Sequence, residues 1–174
     1  VPRQVHAAIS NAKNDLIDFD TFADQAKSPF ERKVAEIYRE YQTRIHAANA
    51  FDFDDLLVVT VDLLRTQPEV LEHYQRRFKH IMVDEYQDTN RAQNEIVLML
   101  AKAHQNICVV GDSDQSIYKF RGADIRNILE FEETFPDCTV ILLEQNYRSS
   151  QVILDAANAV IANNLSRKPK SLWT

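Results

Sequence analysis

The chain has 174 residues, is 45% hydrophobic and carries a formal charge of −6, with a pI near 5.4. That length allows one domain or parts of two, with enough apolar residues for a sizeable core. The acidic balance excludes a globally basic nucleic-acid binder but leaves room for a local basic groove. No apolar run approaches the ~20 residues that cross a bilayer, and no signal-peptide pattern is present, so a cytoplasmic location is expected.

Residues 1–50 read as helical. Ser28 to Glu31 (SPFE) form a capping box with Pro29 at the first helical position. Phe30, Val34, Ile37, Tyr38, Tyr41 and Ile45 then recur at helical spacing and give one apolar face. A further helix is predicted from Asp54 to Arg65, and Pro68 restarts helix to about Phe78.

The second half changes pattern. HIMV (80–83) is a short apolar run that ends in acids, and Asn90 to His104 is amphipathic. NICVV (106–110) reads as a second strand, and Asp124 can cap a helix through about Phe135. TVILL (139–143) reads as a third strand. Ser149 or Ser150 then caps a helix that turns Val152, Ile153, Ala156, Ala157, Val160 and Ile161 inward. Strands alternating with helices predict an α/β fold with a parallel sheet. Cys108 and Cys138 fall in apolar strand-like runs, which predicts free buried thiols in a reducing compartment.

In parallel sheets, ligands gather at the carboxyl ends of the strands. Here those ends carry DEYQD, GDSDQ and EQNYR. In VDEYQDTN (83–90), a carboxylate just past a buried strand suits Mg²⁺, which keeps most of its water and takes few protein ligands. A second carboxylate can orient or deprotonate an attacking water. Asp84 and Glu85 fit these roles; the plainer reading is an acidic turn in which Thr89 or Asn90 caps the next helix. VVGDSDQSIYKFRGAD (109–124) holds both glycines of the chain, Gly111 and Gly122. Gly111 permits a tight turn. Asp112 and Gln115 offer polar groups to a phosphate and its water, Tyr118 and Phe120 offer flat faces to bases, and Lys119 and Arg121 offer charge to phosphates. Gln115 and Phe120 lie within roughly 17 Å of each other, so a nucleotide sensor and a strand-binding surface share one loop. The plainer reading has the aromatics plugging a core. In EQNYRSS (144–150), Tyr147 can stack on a purine and Arg148 can reach a γ-phosphate, or Arg148 can be an ordinary salt-bridge residue.

VDEYQDTN, VVGDSDQSIYKFRGAD and LLEQNYRS, in this order, resemble motifs II, III and IV of the UvrD/Rep/PcrA family of superfamily 1 DNA helicases, and FDFDDLL (51–57) is also typical of that family. The resemblance runs from about residue 51 to 165, and the earlier helices resemble part of the family's helical insert, subdomain 1B. It implies an internal fragment: residues 1–50 from 1B, 51–137 the C-terminal half of the RecA-like motor domain 1A, and 138–174 the start of domain 2A. The implied sheet is a partial RecA-like one. The implied activity is ATP-driven 3′–5′ movement on single-stranded DNA with duplex unwinding, using ATP and Mg²⁺.

By motif, the resemblance makes Asp84 the Mg²⁺ carboxylate and Glu85 the catalytic carboxylate beside the metal, and Gln115 the γ-phosphate sensor. Tyr118, Phe120 and Arg121 fall where the family touches DNA. Tyr147 falls where it stacks on adenine, and Arg148 where it contacts the γ-phosphate. Phe120 departs from the usual Trp, and Lys119 from a common Arg.

A phosphate-cradling loop needs G-x-x-x-x-G-K-[ST], and neither Gly111 nor Gly122 precedes Lys-Ser or Lys-Thr. The isolated chain is therefore expected to be inactive. The chain opens on Val1, without an initiator Met, and closes on Thr174 after a basic run, so an excised piece is expected. Incomplete sheet edges would then favour self-association. Two alternatives remain: a non-catalytic module that binds DNA or protein, and a metal nuclease using Asp52, Asp54, Asp55, Asp84 and Glu85. Against the nuclease, the first three carboxylates more simply start a helix.

Overall fold

A computed structural model of the chain describes residues 2–164 and 170–174; residues 165–169 of the last expected unit lie outside the described residues. Three helices come first: α1 (Pro2–Asn14), α2 (Phe19–Gln25) and α3 (Pro29–Ala47). Their starts are written locally. Asp18 accepts from the Thr21 N–H at 2.7 Å to cap α2. Ser28 Oγ accepts from the Glu31 N–H while Glu31 accepts from the Ser28 N–H, which completes the predicted capping box of α3. Ile9 and Ala12 of α1 meet Val34 and Tyr38 of α3 in a buried cluster. Phe19 and Phe22 sit edge-on to Tyr38. Each fully buried apolar side chain in such a cluster contributes ~1.5–3 kcal/mol.

Helices α4 (Phe53–Thr66) and α5 (Pro68–Arg77) follow, then β1 (Ile81–Val83), α6 (Arg91–Ala101) and β2 (Ile107–Val109). Asp52 and Asn90 cap α4 and α6, each in its own capping box. The two strands pair in parallel, with Ile81, Met82 and Val83 opposite Ile107, Cys108 and Val109. The β1–α6–β2 crossover makes the chain an α/β protein with a small parallel sheet.

Four expectations are corrected. Residues 139–143 are not a strand; nearby, among the described residues, the bridge between Gln145 and Trp173 forms. A strand exists only by pairing, and a cavity of about 450 Å³ separates this segment from β2. The predicted helix to Phe135 forms as two single turns, α7 (Arg126–Leu129) and α8 (Phe131–Thr134), which break at Glu130. The break lets Phe131 meet Tyr86 edge-on while also packing, tilted, against Phe135. In α9 (Gln151–Ile161), Val152, Ile153, Ala156, Ala157 and Val160 face out, Ile161 is half-buried and Leu154 alone is buried, because no described element covers the helix. Both thiols are free, but Cys108 is exposed and Cys138 half-exposed. Cys108 pairs with Met82 on the open face of the sheet.

Candidate functional site

At the end of β1 the chain makes an abrupt turn. Glu85 adopts the left-handed conformation, φ 51° and ψ 42°, which is uncommon for a residue with a side chain. That turn returns Tyr86 to the sheet, where its N–H donates to the Val110 carbonyl at 3.0 Å. The Tyr86 ring is buried, its hydroxyl donates to Asn94, and burial pushes its pKa up to about 12. Asp84 and Glu85 stay in solvent at the strand end, with the Glu85 N–H donating to Asp84 Oδ1 at 2.9 Å.

Gln87 joins this turn to the loop after β2. It is only 1% exposed. Its Nε2 donates to Glu85 Oε2 at 2.8 Å, and its Oε1 accepts from the Asp112 N–H at 2.9 Å. Asp112 Oδ2 in turn accepts from Gln115 Nε2 at 2.7 Å. Glu85, Gln87, Asp112 and Gln115 thus form one hydrogen-bonded chain across both strand ends. Burial raises the Asp112 carboxyl, but hydrogen bonds from Lys170, Gln115 and the Asp114 amide outweigh it and hold the group below the usual carboxylate range. Lys170, in the C-terminal segment, also ion-pairs with Asp112.

Gly111 earns its place by close approach rather than by an unusual turn. A Cβ there would lie 2.6 Å from Gln87 Oε1, 2.9 Å from Ile128 Cδ1 and 3.2 Å from the Tyr86 nitrogen. Any side chain would force Gln87 and Ile128 to shift and crowd the Tyr86 backbone.

Tyr118, Phe120 and Arg121 share a single tight turn over 118–122. The Arg121 guanidinium lies over both rings, 5.1 Å from the Tyr118 centroid and 5.5 Å from that of Phe120. Phe120 is 74% exposed, so it does not plug a core. Gly122 closes the turn at φ 86°, a conformation that favours glycine. The result is an exposed aromatic and cationic surface next to the carboxylate loop.

Tyr147 and Arg148 hydrogen-bond within their own segment. Tyr147 is 86% exposed, and its hydroxyl donates to Gln145. The Arg148 N–H donates to Asn146 Oδ1 at 2.8 Å. Among the described residues neither one hydrogen-bonds or ion-pairs with Asp84, Glu85 or Gln115.

The acidic run at 52–55 is engaged elsewhere. Lys13, 2% exposed, reaches Asp52 Oδ2 at 2.7 Å and Asp55 Oδ1 at 2.9 Å. Tyr41 donates to Asp52 and Gln42 to Asp55. Burial raises the Asp52 carboxyl, but the Lys13, Asp55-amide and Tyr41 hydrogen bonds bring it below its usual value. Among the described residues no group of three or more His, Cys, Asp or Glu side chains is placed to hold a metal. Asp52 and Asp55 instead form the capping box that starts α4, as the helix-start reading expects.

Sequence reasoning gave no role to Gln87, Lys13 or Asn14, and none to Asn90 beyond a helix cap. Their partners lie up to 76 positions away, and no local pattern marks such pairs.

A motif-bearing loop stands at each parallel strand end, joined by a buried amide, and comparison with known families shows the class. Residues 2–136 match the UvrD/REP helicase N-terminal domain, and the chain belongs to that family. Among curated relatives, the ATP-dependent DNA helicase PcrA of Bacillus subtilis is 55% identical over 173 residues, covering 99% of this chain and 23% of the relative. The PcrA of Leuconostoc citreum is 51% identical, over 99% of the chain and 23% of the relative. That of Staphylococcus aureus (strain Mu50) is 53% identical, over 99% and 24%. The chain spans about a quarter of the length of these relatives.

Proposed function

We propose that the chain supplies the hydrolytic carboxylates, the phosphate sensor and a single-stranded DNA contact of an ATP-driven 3′–5′ DNA helicase, and that it works on chromosomal DNA in the cytoplasm, in repair among other tasks. The observation that carries this reading is the hydrogen-bonded chain Glu85–Gln87–Asp112–Gln115, which ties the carboxylate turn to the loop bearing Tyr118, Phe120 and Arg121. Two solvent-facing carboxylates at a strand end suit Mg²⁺, and Asp84 with Glu85 would hold it beside ATP. When bound, the ion neutralises developing charge on the phosphates. Glu85 orients and deprotonates the attacking water, Gln115 contacts the γ-phosphate, and Arg148 stabilises the transferring group. Tyr147 stacks on adenine. Residues 1–50, 51–137 and 138–174 correspond to part of 1B, the second half of 1A and the start of 2A.

A second reading concerns the isolated chain. It contains only two glycines and no G-x-x-x-x-G-K-[ST] loop, and positioning is nearly all of the catalysis in phosphoryl transfer. Alone, it binds DNA or protein without turning over ATP. The test is Glu85→Gln in a full-length polypeptide carrying this segment: hydrolysis is expected to be abolished while Mg·ATP binding remains. Wild-type turnover by the variant would remove Glu85 from the mechanism.

A further inference from the structure

We infer that Asn14, at the end of α1, is a positioning residue that sets the aromatic turn at 118–122 against the carboxylate loop at 84–90. This rests on the DNA-contact reading of that turn.

Three distant stretches of chain meet at this one side chain. Asn14 is 7% exposed. Its Oδ1 accepts from Asn90 Nδ2 at 2.7 Å, a buried contact across 76 positions. Its Nδ2 donates to Asp54 Oδ1 at 3.3 Å. Gly122 passes beside the same amide: a Cβ built there would come into ordinary van der Waals contact, 3.4 Å from Asn14 Cβ and 3.7 Å from Cγ and Nδ2. The last turn of α1 is itself fixed, because Lys13 is clamped between Asp52 and Asp55.

Asn90 serves both sides of this junction. Its Oδ1 accepts from the Gln93 N–H to cap α6, and its Nδ2 is left to reach Asn14. Immediately before it, the Thr89 carbonyl accepts from the Asp124 N–H at 3.0 Å and from Asn127 Nδ2 at 3.0 Å. The turn between is stiff, since the Tyr118 carbonyl accepts from the N–H groups of Arg121 and Ala123. Thr89 holds the turn from its C-terminal side, and Asn14 backs it at Gly122. A shift of the DNA-facing rings relative to Glu85 is therefore resisted at Thr89 and at Asn14, in addition to the Gln87–Asp112 link. An asparagine suits the position because one amide offers an acceptor to Asn90 and a donor to Asp54.

The test is Asn14→Ala in the 174-residue chain, a change that does not weaken α1 by propensity. Amide hydrogen exchange at Gly122, Ala123 and Asp124 is expected to quicken about tenfold, while amides of α3 stay unchanged. Affinity for a fluorescent oligo-dT is expected to fall about threefold to tenfold, with the salt dependence unaltered because Lys119 and Arg121 keep their charges. Asn90→Asp keeps the acceptor that caps α6 and removes the donor to Asn14. It should reproduce the exchange change, and the double variant should add nothing further. If Asn14→Ala does not fold, Asn90→Asp alone decides. Unchanged exchange at 122–124, or equal quickening throughout α3, would overturn the inference. If the wild-type chain does not bind oligo-dT, the DNA reading fails, and the exchange data still decide the role of Asn14.

Discussion

In residues 81–110 each apolar run has a neighbour. Ile81–Val83 and Ile107–Val109 hydrogen-bond to one another, and the loops that follow them are joined through Gln87, Thr89 and Asn90. In residues 139–161 the same order of apolar run, polar turn and helix lies open, with Leu143 77% exposed. The difference separates two kinds of element. A helix satisfies its backbone within itself, so α9 forms without cover. A strand is half of a pair, so 139–143 has strand composition and no strand.

The largest expected effect breaks another closed pairing, between α1 and the start of α4. Lys13→Met leaves Asp52 and Asp55 without their cation, and Asp55 is 1% exposed. Removing one partner of a buried ion pair costs ~3–5 kcal/mol. The midpoint of urea unfolding should fall accordingly; an unchanged midpoint would mean that the clamp contributes nothing net. A smaller effect is expected from Gly111→Ala, which drives a methyl to within 2.6 Å of Gln87 Oε1. Overpacking of this kind costs ~1–3 kcal/mol, read as a lowered melting temperature. If the variant melts with the wild type, the loops are not in tight register.

The smallest effect on stability sharpens the comparison from the open side. We expect the chain to self-associate through the apolar segment 139–143 and the edge of β2, both unpaired among the described residues. Ile141 is 75% exposed, so Ile141→Lys should shift stability by no more than ~0.5 kcal/mol while lowering the mass seen in light scattering. A strictly monomeric wild type at high concentration would refute the association.

What the sequence disclosed follows the same division. The Ser28–Glu31 box and the caps at Asp52 and Asn90 are contacts between near neighbours, and residue type with spacing is enough to read them. The two parallel strands were legible as apolar runs between turns. The motif strings pointed to the loops after β1 and β2, which the structure sets side by side. The third strand and the buried face of α9 were not legible, because each depends on a neighbouring element, which the described residues do not supply. The same holds for Lys13 with Asp55 and for Asn14 with Asn90, which lie 42 and 76 positions apart. Tyr118 and Phe120 were open to two readings from sequence, since flanking charge fits both a solvent-facing turn and an alternating strand.

The Gln87 amide works like a keyed connector. The Asp112 N–H can only donate, so it fixes which end of the amide carries oxygen. Nitrogen must then face Glu85, where it needs an acceptor. Turned over, the amide would set donor against donor and acceptor against acceptor. The polarity of the whole connection is therefore decided by one backbone group, and the carboxylate at its far end is matched by a donor in only one orientation.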